Sequence, residues 1–188
     1  MGLAPPRIRA QVPGEQGCMK PVDSLMRDSA HAATLAGVTD EQLIGMLAVA
    51  TQTACHYMTS CHLAALTDSV TQAESLPAKP HWDRKAVAHA AVIGMLGDAT
   101  GDPVLMRLAG LAAGWTYDLA VAAGPAADGI IAGSHRRLLG YLRSGDGEAA
   151  AQEIEQHLRV LSMMERLSRG GQAKTTARRS PDARCSAA

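Results

Sequence analysis

Three histidines in this chain have the spacing of side chains that meet inside a helical protein. His135 and His157 lie on either side of a Ser-Gly-Asp-Gly turn sequence at residues 144–147, and apolar residues recur at helical spacing around each of them. His89 lies in a third apolar stripe of the same kind. A buried imidazole costs free energy unless it is hydrogen-bonded or coordinated. The spacing therefore predicts a cluster of imidazoles in the core that needs a partner.

The composition favours helices as the elements that position these side chains. The chain has 188 residues, of which 47% are hydrophobic and 19% charged, so it can bury one sizeable core. It has no Phe, only two Trp and three Tyr, and few stretches of alternating β-branched residues. We therefore expect an all-α protein, an antiparallel bundle of about six or seven helices joined by short loops.

Local start and stop signals divide the chain into these helices. Thr39 and Gln42 have the spacing of a capping box, so a helix should begin there and run to about Ser60. Asp102 followed by Pro103 predicts another start, because aspartate is a good N-cap acceptor and proline suits the first helical position. Proline and glycine are expected to end the other helices, at Pro77, Pro80, Gly124, Pro125, Gly145 and Gly170.

These signals give three segments. Residues 1–38 are punctuated by proline and glycine and are expected to be poorly structured. Residues 39–168 form the predicted helical domain. Residues 169–188 are rich in Gly, Ser, Thr and Ala, carry more basic than acidic residues and lack apolar periodicity, so we expect a basic, disordered tail.

Charge and cysteine usage narrow the function classes. The formal net charge is zero, which gives no broad basic surface for nucleic acid. No apolar run is long enough to span a membrane, and the N-terminus lacks the apolar core of a secretion signal. The four cysteines show neither CxxC spacing nor a disulfide framework. We expect a soluble, cytoplasmic protein that associates with no membrane.

The residues from His135 to His157 resemble a known family. A histidine opens a helix, a Gly-Asp turn follows ten residues later at Gly145 and Asp146, and the second histidine lies twenty-two residues after the first. This pattern resembles the FCD domain, the effector-binding half of many GntR-family bacterial transcription regulators. Residues 100–105 are similar to the family's small-Gly-Asn-Pro-x-Leu junction, with aspartate in place of the usual asparagine. The resemblance covers roughly residues 40 to 165.

The resemblance implies a metal site with one departure from the family pattern. The family often holds a divalent metal with one carboxylate and three imidazoles. Counted back from the junction, the family's aspartate falls on His89 and its next histidine on Ile93, so one ligand is lost. An alignment shifted by one helical turn places His89 at the family histidine and Lys85 where the aspartate belongs. In that alignment a cation lies beside the site and weakens metal binding.

The candidate metal ligands are therefore His89, His135 and His157. Three neutral imidazoles suit zinc or nickel and leave an open position for a ligand that carries a carboxylate. The alternative is that these are structural core histidines, satisfied by backbone or side-chain acceptors or by a trapped water. The remaining histidines lie on mixed or irregular segments and are given no role: His31, His56, His62 and His81.

Three functions follow as hypotheses. The first is an effector-binding domain of a GntR-type regulator that takes a small carboxylate metabolite, as a homodimer or paired with a full-length regulator. Because residues 1–38 show no recognition-helix pattern, this chain alone is not expected to read DNA. The second is a dimerisation or interaction module whose pocket is non-functional. The third, a metal-dependent enzyme that activates water, is disfavoured because no glutamate or aspartate was found positioned beside the histidine stripes. We expect no enzyme activity.

Overall fold

The computed structural model describes residues 37–177, and the side chains of residues 37–170. Within this range the chain forms six α-helices and one short 3₁₀ helix, without a strand. The prediction of an all-α bundle of about six or seven helices is confirmed. The α-helices are α1 (Asp40–Tyr57), α2 (Ser60–Ser75), α3 (Trp82–Thr100), α4 (Pro103–Ala123), α5 (Asp128–Ser144) and α6 (Gly147–Ala177), and the 3₁₀ helix (Pro125–Ala127) joins α4 to α5.

The predicted helix starts are confirmed by their hydrogen bonds. The Thr39 hydroxyl accepts from the backbone N–H of Gln42 at 3.2 Å, and the Gln42 side chain accepts from the backbone N–H of Thr39 at 2.9 Å. The Asp102 carboxylate accepts from two backbone N–H groups in the first turn of α4, at 2.8 and 3.1 Å. Each cap satisfies donors that a helix N-terminus would otherwise leave without a partner.

The boundary between α1 and α2 depends on a second capping box. The Thr59 hydroxyl accepts from the backbone N–H of His62 at 3.3 Å, and His62 Nδ1 lies 3.4 Å from the backbone nitrogen of Thr59, whose N–H it accepts. His62, which had no role in the sequence analysis, is therefore a capping residue. The ends of α3 and α5 are left-handed glycines, Gly101 at φ 66° and Gly145 at φ 74°, and the second of these ends was predicted.

The last helix is longer than predicted. α6 continues past the expected end near Ser168 and runs to Ala177, so the first part of the segment predicted as a disordered tail is helical. Glycine in a helix costs only about 1 kcal/mol and leaves the backbone hydrogen-bond ladder intact, so Gly170 and Gly171 need not stop it. The predictions for residues 1–36 and 178–188 lie outside the described residues. Among the described helices, none combines the length and apolar character needed to cross a membrane.

Two hydrophobic clusters fill the interior. The larger cluster draws on all six helices, and its most buried side chains include Leu47, Leu66, Ile93, Leu138 and Leu158. The smaller cluster contains Trp82, Ala86, Leu119, Ala120, Ala123, Ala127, Ile131 and Leu161. α3 packs along α4 and also against α1 and α2, while α6 packs against α1, α4 and α5. Four helices, α3, α4, α5 and α6, contribute to both clusters, and three of them carry His89, His135 and His157.

The crossing of α3 and α4 requires a glycine. A Cβ built on Gly97 would lie 2.5 Å from the Cβ of Ala109 and 3.0 Å from the Cα of Met106. We expect Gly97→Ala to lower the free energy of unfolding by about 1–3 kcal/mol, because the helices must separate to admit the methyl group. Urea denaturation measures this. Gly114→Ala on α4 is the control, since nothing lies within 4 Å of its Cβ position, and it should be neutral or stabilising by up to about 1 kcal/mol. Equal effects of the two substitutions would contradict the close crossing.

Candidate three-histidine site

Three helices bring the predicted imidazoles together in the core. His89 on α3, His135 on α5 and His157 on α6 are each no more than 2% exposed. The ring centres of His89 and His135 are 5.2 Å apart, and those of His135 and His157 are 5.4 Å apart. The helical periodicity that predicted an inward-facing position for each histidine therefore also brings the three imidazoles together.

The imidazoles form a polar layer between the two hydrophobic clusters. On each of the three helices, the histidine is flanked on one side by residues of the larger cluster and on the other by a residue of the smaller one. The flanking residues are Ile93 and Ala86 on α3, Leu138 and Ile131 on α5, and Ile154, Leu158 and Leu161 on α6. A polar layer between two apolar clusters needs internal partners, because the surrounding side chains cannot hydrogen-bond to it.

The ring nitrogens do not have such partners among the described residues. Both nitrogens of His89, of His135 and of His157 are buried and make no hydrogen bond to the protein. A neutral imidazole has one N–H donor and one lone-pair acceptor, so three donors and three acceptors are available in this layer. Buried polar groups of this kind are rare in folded proteins and usually mark a site for a bound water, ion or ligand.

A buried ion pair lies beside His89. The Lys85 ammonium, one helical turn earlier on α3, lies 2.8 Å from Oδ1 and 3.0 Å from Oδ2 of Asp128, the first residue of α5. Lys85 donates to Oδ2 of Asp128 and to the backbone carbonyl of Leu76, the latter at 2.8 Å. Oδ1 of Asp128 makes no hydrogen bond and lies 3.6 Å from Nε2 of His89. A cation therefore lies beside His89, whereas Ile93 lies in the larger hydrophobic cluster.

The surroundings keep all three imidazoles neutral near pH 7. Burial lowers the pKa of His89 to about 4, an effect that the Asp128 carboxylate partly opposes and Lys85 reinforces. Burial also lowers the pKa of His157 to about 4, with a further decrease from His89 and an opposing increase from Glu153. The pKa of His135 lies well below its ordinary value, because the ring is buried and faces the other two histidines. Neutral imidazoles have the free lone pair that metal coordination requires.

A second buried carboxylate lies next to His157. Glu153 is one turn earlier on α6, and its carboxylate accepts from the Ser134 hydroxyl at 2.6 Å and from the Arg137 guanidinium at 2.8 and 2.9 Å. Burial raises the pKa of Glu153, but the hydrogen bonds from Arg137 and Ser134 outweigh this, and the net pKa lies below its ordinary value. The Glu153 carboxylate is therefore ionised, and both of its oxygens accept hydrogen bonds.

The expectation that no carboxylate lies beside the histidine stripes was wrong. Asp128 and Glu153 both do. For Glu153 the sequence held a signal, because residues four apart on a helix share a face and Glu153 precedes His157 by that interval. For Asp128 the sequence held no such signal, because this side chain reaches the site from the first residue of α5 and pairs with a lysine on another helix.

Two separations between the imidazole rings are close to those found around a bound zinc ion. Two imidazoles bound to one tetrahedral zinc at about 2.0–2.1 Å per nitrogen have ring centres about 5 Å apart, close to the 5.2 and 5.4 Å seen here. The donor set, three neutral imidazoles with a carboxylate nearby, also suits zinc or nickel. As arranged in residues 37–170, however, no group of three or more His, Cys, Asp or Glu side chains is placed so that it could hold a metal ion. The residues therefore fit a metal in type and in two ring separations, and the side chains would have to rearrange to bind one, because Lys85 holds the Asp128 carboxylate.

Two hollows on the surface do not reach the imidazoles. One has a volume of about 550 Å³ and is formed by the start of α1 and the residues before it. The other, of about 320 Å³, lies between α4 and α6, where Trp115, Asp118, Ser162, Glu165 and Arg169 contribute to its lining. Neither is lined by His89, His135 or His157, so a ligand that reaches these residues must enter by another route.

Comparison with known proteins does not assign the chain to a family. No family model, no curated protein and no solved structure matches it. The resemblance to the FCD domain remains a prediction from the sequence.

Proposed function

We propose that this chain is an effector-binding domain of the FCD type, in which His89, His135 and His157 hold a divalent metal ion and a small carboxylate metabolite completes the site. One observation carries this proposal: three imidazoles from three helices share a buried layer, and none of their six nitrogens has a hydrogen-bond partner in the protein. A structural histidine would be expected to have a partner for at least one nitrogen.

The residues around the imidazoles support metal binding in two ways. The low pKa of His89 and of His157 keeps both rings unprotonated near pH 7, so no proton has to be displaced before a metal binds. The apolar residues on both sides of the layer exclude water and fix the helices that carry the rings. When bound, a zinc or nickel ion would supply a Lewis-acidic site with an open position for a carboxylate oxygen.

A second candidate function, an interaction module with a non-functional pocket, is favoured by the surface. Several large apolar side chains are exposed on α1, α4 and α6, namely Met46, Val49, Val104, Met163 and Leu167. Exposed apolar side chains of this kind are commonly used for protein association. The two candidates agree on a partner, a second copy of this chain or a full-length regulator, and differ on whether the histidine layer binds a ligand.

Metal titration separates the two candidates. The protein is purified without a histidine tag, stripped with EDTA and titrated with zinc and with nickel by calorimetry. We expect one ion per chain for the wild type and no stoichiometric binding for His157→Ala, because the substitution removes one of three ligands. Metal should raise the melting temperature of the wild type only, since a ligand at 100 times its Kd stabilises the folded state by about 2.7 kcal/mol.

His56→Ala is the matched control, because His56 is exposed near the end of α1. It should bind metal as the wild type does. Malonate added to the metal-loaded wild type then probes the open position and should raise the melting temperature further. If zinc and nickel leave the wild-type melting curve unchanged, the metal proposal fails and the interaction module becomes the better account.

A further inference from the structure

The Lys85–Asp128 ion pair lies where its two charges act on the three-histidine layer. We propose that Asp128 is the carboxylate ligand of an ion bound by these histidines, and that Lys85 is an internal cation that competes with the ion for Asp128 and thereby sets the metal affinity. This inference rests on the proposed metal-binding function. It assigns a fourth, anionic protein ligand to the first residue of α5, on a different helix from His89, so that a carboxylate metabolite would bind as a fifth ligand.

Oδ1 of Asp128 lies within reach of both Lys85 and His89, and it is 2.8 Å from the Lys85 ammonium. Oδ2 accepts the hydrogen bond from Lys85, whereas Oδ1 is buried, makes no hydrogen bond and lies 3.6 Å from Nε2 of His89. Nε2 of His89 has no hydrogen-bond partner, and Oδ1 is held only by its ion-pair contact with the Lys85 ammonium, so both atoms could act as metal ligands. A divalent ion between them would satisfy both.

The charge balance of the site makes Lys85 a competitor of the metal ion. The three imidazoles are neutral, and Lys85 and Asp128 together carry no net charge. A divalent ion would add two positive charges next to an ammonium that is only 5% exposed, where water screens the repulsion poorly. Asp128 is the group that offsets either cation, and it cannot pair fully with both. Metal binding therefore competes with the ion pair.

Lys85 has a second hydrogen-bond acceptor besides Asp128. Its ammonium also donates to the backbone carbonyl of Leu76 at 2.8 Å, so it keeps one hydrogen bond when Asp128 turns to a metal ion. Asp128 is 28% exposed, so its side chain is less closely packed than the imidazoles. The exchange of Asp128 between the two cations thus requires no helix to move.

The test is a set of four chains: the wild type, Lys85→Met, Asp128→Asn and the double substitution. Zinc affinity is measured for each metal-stripped chain by calorimetry or by competition with a chromogenic chelator. We expect Lys85→Met to bind zinc at least tenfold more tightly than the wild type, because the competing cation is gone. We expect Asp128→Asn to bind at least tenfold more weakly, and to weaken binding in the Lys85→Met background as well, because an amide is a poorer ligand than a carboxylate.

Two exposed neighbours provide matched controls. Lys79→Met and Asp83→Asn remove the same charges near α3 without touching the ion pair, and each should change zinc affinity less than twofold. Asp128→Glu keeps the carboxylate and should bind more tightly than Asp128→Asn. Circular dichroism establishes that each variant is folded, so that a loss of affinity reports on the ligand.

The outcomes separate this inference from the proposed function. If zinc binding depends on His157 but is unchanged by Lys85→Met and Asp128→Asn, the ion pair is structural only and the inference fails, while the proposed function stands. If the wild type binds no zinc and Lys85→Met binds it, the inference holds and the wild-type protein is a metal-free form of the site. If none of the four chains binds zinc or nickel, both the inference and the proposed function are wrong.

Discussion

Acidification from pH 7 to pH 5 is expected to lower the free energy of unfolding by about 4 kcal/mol, about 2 kcal/mol for each of His89 and His157. Both imidazoles have a pKa of about 4 in the folded protein, against about 6.5 in an unfolded chain. Between these values the unfolded state binds protons that the folded state excludes. Stability therefore falls as the pH drops through 6.5 and levels off near 4. The pKa of His135 is also lowered, which adds to the loss in the same direction.

Urea denaturation in EDTA, repeated at half-unit steps between pH 8 and pH 5, measures this dependence without interference from metal. His157→Leu should show a flatter profile, because one buried titrating group is removed and replaced by a side chain that suits the apolar surroundings. His56→Ala should keep the wild-type slope, because His56 is exposed. A wild-type stability that does not change between pH 7 and pH 5 would mean that the histidine layer is not held neutral by burial.

Signals carried by a few neighbouring residues were enough to predict the helices. The capping box at Thr39, the cap at Asp102 and the left-handed glycine at Gly145 each act within one turn of the chain. The inward direction of His135 and His157 followed from apolar residues on the same helix face. Fold class and the grouping of the histidines could therefore be predicted without knowledge of the tertiary structure.

The charged partners of the site could not be predicted in the same way. Lys85 and Asp128 are 43 positions apart, and a lysine on a helix is buried only when neighbouring helices cover it. The sequence states neither which helices pack together nor how far each one is rotated about its axis. The shifted alignment did place a lysine beside His89, but the carboxylate that neutralises it became visible only with α5 packed in place.

Replacement of Arg137 by methionine is expected to lower the free energy of unfolding at pH 7 by about 2–3 kcal/mol, since it leaves the Glu153 carboxylate buried without its cation. The Glu153 side chain is only 5% exposed, and two of its three hydrogen bonds come from Arg137. The expected cost lies below the usual range for a fully buried pair, because Arg137 itself is 54% exposed. Arg136→Met is the matched control. Its ion pair with Glu74 is at the surface, and its loss should cost less than about 1 kcal/mol.

The pH dependence distinguishes a lost charge partner from lost packing. The pKa of Glu153 lies below its ordinary value. The stability that the ionised carboxylate contributes is therefore present above the ordinary pKa, and it is lost as the pH falls through the lower pKa of the folded protein. In Arg137→Met the pKa of Glu153 should rise, because burial then acts without the guanidinium. The deficit relative to the wild type should therefore be largest at pH 7 and shrink toward pH 4, where the carboxyl group of the variant is protonated and no longer a buried charge. Urea denaturation at both pH values measures it, and a deficit equal at the two would assign the effect to packing of the arginine stem.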